Sequence, residues 1–185
     1  MKSKKALSVK KIFADEIKLG SNLIIAPESF LNESDDEVYN IILGTKVGWY
    51  NVSYYEVDYG EMYGTEIKGI EIAYKNMSDW DRKNLQFKEI DTIDVGSMLY
   101  LFDYTYVKKN VRDEEGNCPE EWEDKMYDLT RFDYNRPYGE ANYCHICDDR
   151  GVAIYVKDGY AKFPVFAAEI GGKVVAVRVV FKENY

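Results

Sequence analysis

Apolar residues take every second position in the closing stretch Lys173–Phe181, with Val175, Val177, Val179 and Phe181 on one side and Arg178 on the other. A period of two marks a strand with one face buried. The same alternation, broken by a Gly-Ser step, runs through Ile17-Lys18-Leu19-Gly20-Ser21-Asn22-Leu23-Ile24-Ile25. It returns 76 positions on in Ile93-Asp94-Val95-Gly96-Ser97-Met98-Leu99-Tyr100-Leu101. Each copy predicts a strand, a bend and a second strand.

Two further elements recur in the same order. Gly48-Trp49-Tyr50-Asn51-Val52 is echoed by Gly159 followed by Phe163-Pro164-Val165, and Ile70-Glu71-Ile72-Ala73-Tyr74-Lys75 by Val177-Arg178-Val179-Val180-Phe181-Lys182. Tyr and Val crowd these segments, as they do on pleated, half-buried surfaces. Asp158-Gly159 and Gly171-Gly172 stand between β-type runs, where a tight turn needs the positive φ that glycine adopts cheaply. Three matched elements in one order predict a mainly β (β-rich α+β) protein. Two related antiparallel units, about 16–76 and 92–184, would form a sandwich or barrel-like body within a single domain, 13–185.

The copies differ in length. Gly20 precedes Gly48 by 28 positions, whereas Gly96 precedes Gly159 by 63. The surplus predicts an insertion at about 108–150 carrying one helix: Asn117 can cap it, Pro119 suits its first turn, and Glu120 and Glu121 complement its positive start. Trp122, Met126 and Leu129 then form an apolar stripe, read as packing against the sheet.

Charge sharpens this picture. The 185 residues hold 33 acids against 24 bases, for a net charge of −9. Residues 1–12 contain five lysines and no acid, and read as a basic flexible tail. Residues 113–149 contain twelve acids against Lys125, Arg131 and Arg136. A body so charged is a poor ligand for phosphate backbones, would be repelled by anionic lipid, and would meet a basic partner quickly. No apolar run approaches the roughly 18 residues of a membrane helix, and the basic start lacks the apolar core of a secretory signal. Three cysteines without such a signal point to a reducing, cytoplasmic setting.

Several chemistries lack their parts. His145 is the sole histidine, no Gly-x-Ser-x-Gly elbow occurs, and neither glycine-rich phosphate loop nor calcium loop is present. Cys144-His145-Ile146-Cys147 could hold zinc with Cys118 plus Asp148 or His145, but one Cys-x-x-Cys specifies little. The commoner reading is ordinary small apolar thiols, with no metal or cofactor. A redox role is disfavoured because Asp148 and Asp149 oppose a thiolate. Paired carboxylates in a cleft lined by some of the 17 tyrosines and other aromatics would suit a carbohydrate-active or small-ligand domain. Tyrosine equally fills sheet faces and protein interfaces.

With these motifs laid out, the chain resembles a bacterial family known as domain of unknown function 4241. The resemblance rests on Gly20, Ser21, Ala26 and Pro27; on Gly48, Tyr50 and Val52; on Asp94, Gly96 and Asp103; and on Asp158, Gly159, Phe163, Pro164 and Val165. The chain departs from that pattern at Ala26 (Asp in the family), at Tyr104 (Pro), and in the three residues between Gly159 and Phe163. Membership implies a fold and no activity.

The expectation is a non-enzymatic acidic binding protein of inhibitor or immunity type. Asp113, Glu114, Glu115, Glu120, Glu121, Glu123, Asp124 and Asp128 would dock a basic protein partner, without nucleic acid or membrane. The alternatives are the carboxylate-pair domain above and a structural component that self-associates into homo-oligomers.

Overall fold

A computed structural model describes residues 5–27, 39–62, 64–96, 98–110, 143–146, 149–156 and 161–181. Among them the chain forms β1 (Ser8–Leu19), β2 (Leu23–Pro27), β3 (Asn40–Ile42), β4 (Gly48–Asp58), β5 (Thr65–Tyr74), α1 (Asp79–Lys83), β6 (Lys88–Val95), β7 (Met98–Asp103), α2 (Tyr104–Asn110), β8 (Tyr143–Ile146), β9 (Gly151–Tyr155), β10 (Ala161–Ile170) and β11 (Lys173–Val180). Two antiparallel sheets result, one in the order β1-β4-β5-β11-β10-β6 and one in the order β3-β2-β7-β9-β8. Their apolar faces meet in one core that takes Ile17, Tyr50, Ile72, Phe163 and Val177 from the first sheet and Leu23, Ile25, Leu99, Leu101 and Ile154 from the second. Fully burying each such side chain stabilises the fold by about 1.5–3 kcal/mol.

The Gly-Ser steps are corners between sheets. β1 ends at Leu19 and β2 begins at Leu23 in the other sheet; β6 ends at Val95 and β7 begins at Met98, also in the other sheet. Each predicted unit therefore contributes strands to both sheets. The body is an open sandwich rather than a barrel, with β1 and β6 bordering one sheet and β3 and β8 the other.

Pairing follows the spacings found in the sequence. Ile25 of β2 faces Leu101 of β7, the residue 76 positions further on. Glu71 of β5 faces Arg178 of β11, its counterpart in the other matched element. Ile17 faces Tyr50 where Ile93 faces Phe163. Tyr50 packs edge-on against Tyr74 with ring centres 5.6 Å apart, and Phe163 packs tilted against Phe181 at 5.2 Å. Both border strands carry a β-bulge, one with Ala14 as the extra residue and the other with Ile90, again 76 apart. These relations have the form that a two-fold axis imposes when it passes between Ile25 and Leu101 and between Glu71 and Arg178.

The outward faces are covered unevenly. Ala73, Ala168 and Ala176 leave room on the six-stranded sheet for Met77, Leu85 and Phe87, which flank α1. Ser78 caps that helix through its side chain, and Asp79 and Asp81 lie in its first turn. On the other sheet, Ile24, Tyr100 and Phe102 pack with Val107 of α2, so β2 and β7 are buried on both faces.

One expectation fails at the start of the chain. β1 opens at Ser8, so Lys10 and Lys11 are strand residues rather than part of a tail. Lys11 is held there by an ion pair with Glu71, 60 residues away. The tight turn at Gly171-Gly172 is present, with φ of 58° and 72°. Asp158-Gly159 and the helix expected from Asn117 to Leu129 lie outside the described residues.

Candidate functional site

The eight acids expected to bind a partner, from Asp113 to Asp128, lie outside the described residues. The structure does describe the points from which their segment departs and to which it returns, α2 and β8. The departure point is built on Asp103, a carboxylate only 1% exposed. Its Oδ1 accepts from the Tyr106 amide (3.0 Å) and the Ser21 hydroxyl (3.1 Å), and its Oδ2 from the Gly20 amide. Arg150 Nη1 lies 3.5 Å from the same carboxylate. Tyr106 is the third residue of α2, so Asp103 satisfies one of the amides that every helix start leaves open. Ser21 Oγ in turn accepts from the Thr105 amide (2.9 Å).

The main chain completes the junction. Asp103 N donates to Arg150 O and Tyr104 N to Asn22 O, each at 2.8 Å. Asp149, with φ of 63°, receives the Lys18 amide at 2.7 Å. One buried carboxylate thus locks the corner at residues 20–22, the start of α2 and the turn at residues 149–150.

A second buried carboxylate lies on the outward face of the six-stranded sheet. Glu71 is 3% exposed and receives Arg178 through Nε (3.0 Å) and Nη2 (2.7 Å), the Tyr55 hydroxyl (2.6 Å) and Lys11 Nζ. The Arg178 guanidinium also lies over the Phe87 ring at 3.9 Å. Burial alone would raise the pKa of Glu71, but the three donors outweigh it and hold the carboxyl below its ordinary value. Burial, aided by the bond to Glu71, pushes the Tyr55 hydroxyl well above its ordinary value. All four groups are engaged with one another, so the cluster ties β1, β4, β5 and β11 together and offers no idle acid or base. The sequence held a signal for it: Glu71 and Arg178 occupy corresponding places in the two matched elements with opposite charge.

Of the cysteines weighed for zinc, Cys144 lies in β8 beside His145, while Cys118 and Cys147 fall outside the described residues. Among the described residues no group of three or more His, Cys, Asp or Glu could hold a metal ion, and no helix is long and apolar enough to cross a membrane.

Charge divides sharply between sheets and segments. The described residues carry sixteen Lys and Arg against fifteen Asp and Glu, a near balance. The excess acid belongs to residues 111–142, with ten acids against four bases, and to residues 28–38, with five acids and no base. Sequence reading singled out the first of these and passed over the second, which follows β2 as the first follows β7 and α2. The chain matches no family model, no curated protein and no solved structure.

Proposed function

We propose that this chain is a non-enzymatic binding protein of inhibitor or immunity type, whose acidic segment 111–142 docks a basic protein partner in the cytoplasm. Its scaffold is an internally duplicated β unit, and a remote relation to the 4241 family fits the turn residues the two share. The near balance of charge in the described sheets is the observation that carries this reading. Carboxylates concentrated in a stretch of chain raise encounter rates with a basic face and make them salt-dependent. Five described carboxylates, at Glu16, Glu66, Glu71, Asp94 and Asp103, already face lysine or arginine within the body. Duplication is supported by the matched pairings and by bulges 76 positions apart.

Affinity capture from the source cell at low salt should bring down a basic protein. Reversing Glu120, Glu121, Glu123 and Asp124 together to lysine should slow association with it about tenfold or more, chiefly in the on-rate. An unchanged on-rate in stopped-flow or surface-binding measurements overturns the assignment.

A further inference from the structure

We propose that the first half of β1, Ser8–Phe13, is a strap that opens about the bulge at Ala14 and bares the edge of β4 as a docking groove for a basic, extended segment of a partner polypeptide. β1 is a border strand whose two halves are held very differently. Beyond the bulge, Ile17 and Leu19 are fully buried in the core. Before it no side chain is buried: Val9 is 62% and Phe13 59% exposed, and Ile12 is partly buried. Lys11 adds its ion pair with Glu71. Opening this half breaks ladder hydrogen bonds but gives up little apolar burial, and segments of that kind open well below the cost of global unfolding. The bulge interrupts the ladder between Phe13 and Asp15, which sets the point where opening stops.

What the strap covers is a groove of defined chemistry. Ser53, Tyr54 and Val57 of β4 lie opposite Phe13, Ile12 and Val9, and each is only 7% exposed with the strap in place. Uncovered, their strand offers unpaired amides and carbonyls, the template on which a peptide adds as a new strand. Carboxylates line it. Glu56 stands opposite Lys10, Asp58 opposite Ser8, and Glu71 receives Lys11. Asp58 also takes the Gly60 amide (2.7 Å), and Glu71 keeps Arg178 and Tyr55 when Lys11 leaves. The cations beside these acids are already engaged, Lys68 with Glu66 (2.7 Å) and Arg178 with Glu71. Such a groove selects a strand of β1's own pattern, with lysines in the places of Lys10 and Lys11 and an aliphatic residue in that of Ile12.

The groove does not depend on the acidic segment, and the experiment distinguishes them. Hydrogen exchange of the full chain should show the β4-bonded amides of Ser8–Phe13 exchanging about tenfold or more faster than those of Glu16–Leu19. The probe for the groove is a fluorescent synthetic peptide with the sequence of residues 5–13. In the wild-type chain the strap competes with it as a tethered ligand. Lys10→Glu with Lys11→Glu loosens the strap, so that chain should bind the peptide about tenfold or more tightly than wild type, read by anisotropy. Lys11→Gln should fall between them, and near-ultraviolet circular dichroism should show the core intact in all three. A peptide carrying both reversals should not bind. Reversing Glu120, Glu121, Glu123 and Asp124 to lysine should leave peptide binding unchanged.

Equal protection of the two halves of β1, or peptide binding that no strap variant strengthens, overturns the proposal. So does binding that the reversal at residues 120–124 removes, which would assign the peptide to the acidic segment. A wild-type dimer in sedimentation velocity that the strap variants disperse also overturns it, by giving the groove to β1 of a second copy.

Discussion

β2 and β7 occupy matching places, pair with each other, and yet carry very different residues at one matched position. In β2 it is Pro27, which faces Leu99. In β7 it is Asp103, which faces Leu23 and turns straight into α2. A proline has no amide to donate to a ladder. A helix start has four amides to place, and Asp103 takes one of them while also closing the Gly20 corner. The difference shows what one buried carboxylate does at the end of β7: it turns the strand into the start of a helix that leads to the acidic stretch of the chain.

The sharpest way to break that comparison is to remove the carboxylate. Asp103→Ala strands the Gly20 and Tyr106 amides and the Ser21 hydroxyl, and should cost about 2–4 kcal/mol in urea denaturation. Pro27→Ala should stay within about 1 kcal/mol. Equal losses would mean the two matched positions do the same job. Hydrogen exchange should locate the Asp103 defect in α2 and the 149–150 turn.

The two sites on the axis give a second, smaller contrast, since Ile25 and Leu101 meet without charge whereas Glu71 meets Arg178. Glu71 titrates below its ordinary value when folded, so its contribution to stability is complete above the unfolded value of about 4.3. It is lost as pH falls through the folded value. Glu71→Gln should therefore flatten the acid limb of the stability curve below about pH 4, and Arg178→Gln alone should cost about 1–3 kcal/mol at neutral pH. An acid limb identical to wild type would show that Glu71 is not the group being protonated.

The smallest effect concerns Tyr50 and its counterpart Phe163. The Tyr50 hydroxyl donates to Lys46 O at 2.7 Å, with Val174 O at 3.2 Å, and burial pushes it well above its ordinary value. Tyr50→Phe puts the same ring at both matched positions and should cost about 1 kcal/mol. A raised hydroxyl contributes stability below its unfolded value of about 10 that is lost as pH climbs towards the folded value. The Phe variant should lose less stability above pH 10 than the wild type does, as read from chemical denaturation in alkaline buffer.

Strand character was plain in the sequence wherever alternation was strict, as in Lys173–Phe181, and both corners announced themselves as Gly-Ser steps. Which strands would be neighbours was not, because a period of two says which side chains share a face and nothing about the partner across the ladder. Matched segments look like independent units until the corners are seen to carry each one from sheet to sheet. Lys10 and Lys11 resembled a solvated tail because the carboxylate that draws in Lys11 lies 60 positions away. α1 escaped notice at five residues, although Ser78 three places before Asp81 is a recognisable helix start. Asp103 entered only through the family resemblance. Its role depends on Gly20, Ser21 and Arg150 converging, and no local pattern reports such convergence.

The bulges at Ala14 and Ile90 carry a consequence for life at high concentration. A straight, uncovered rim is a template onto which a stranger's backbone can crystallise, and fibrils grow by repeating that step. Here both rims of the larger sheet are kinked at corresponding points, so neither offers a long flat run of free amides and carbonyls. Excising Ala14 would straighten one rim, and the protein so altered should be the one that forms amyloid.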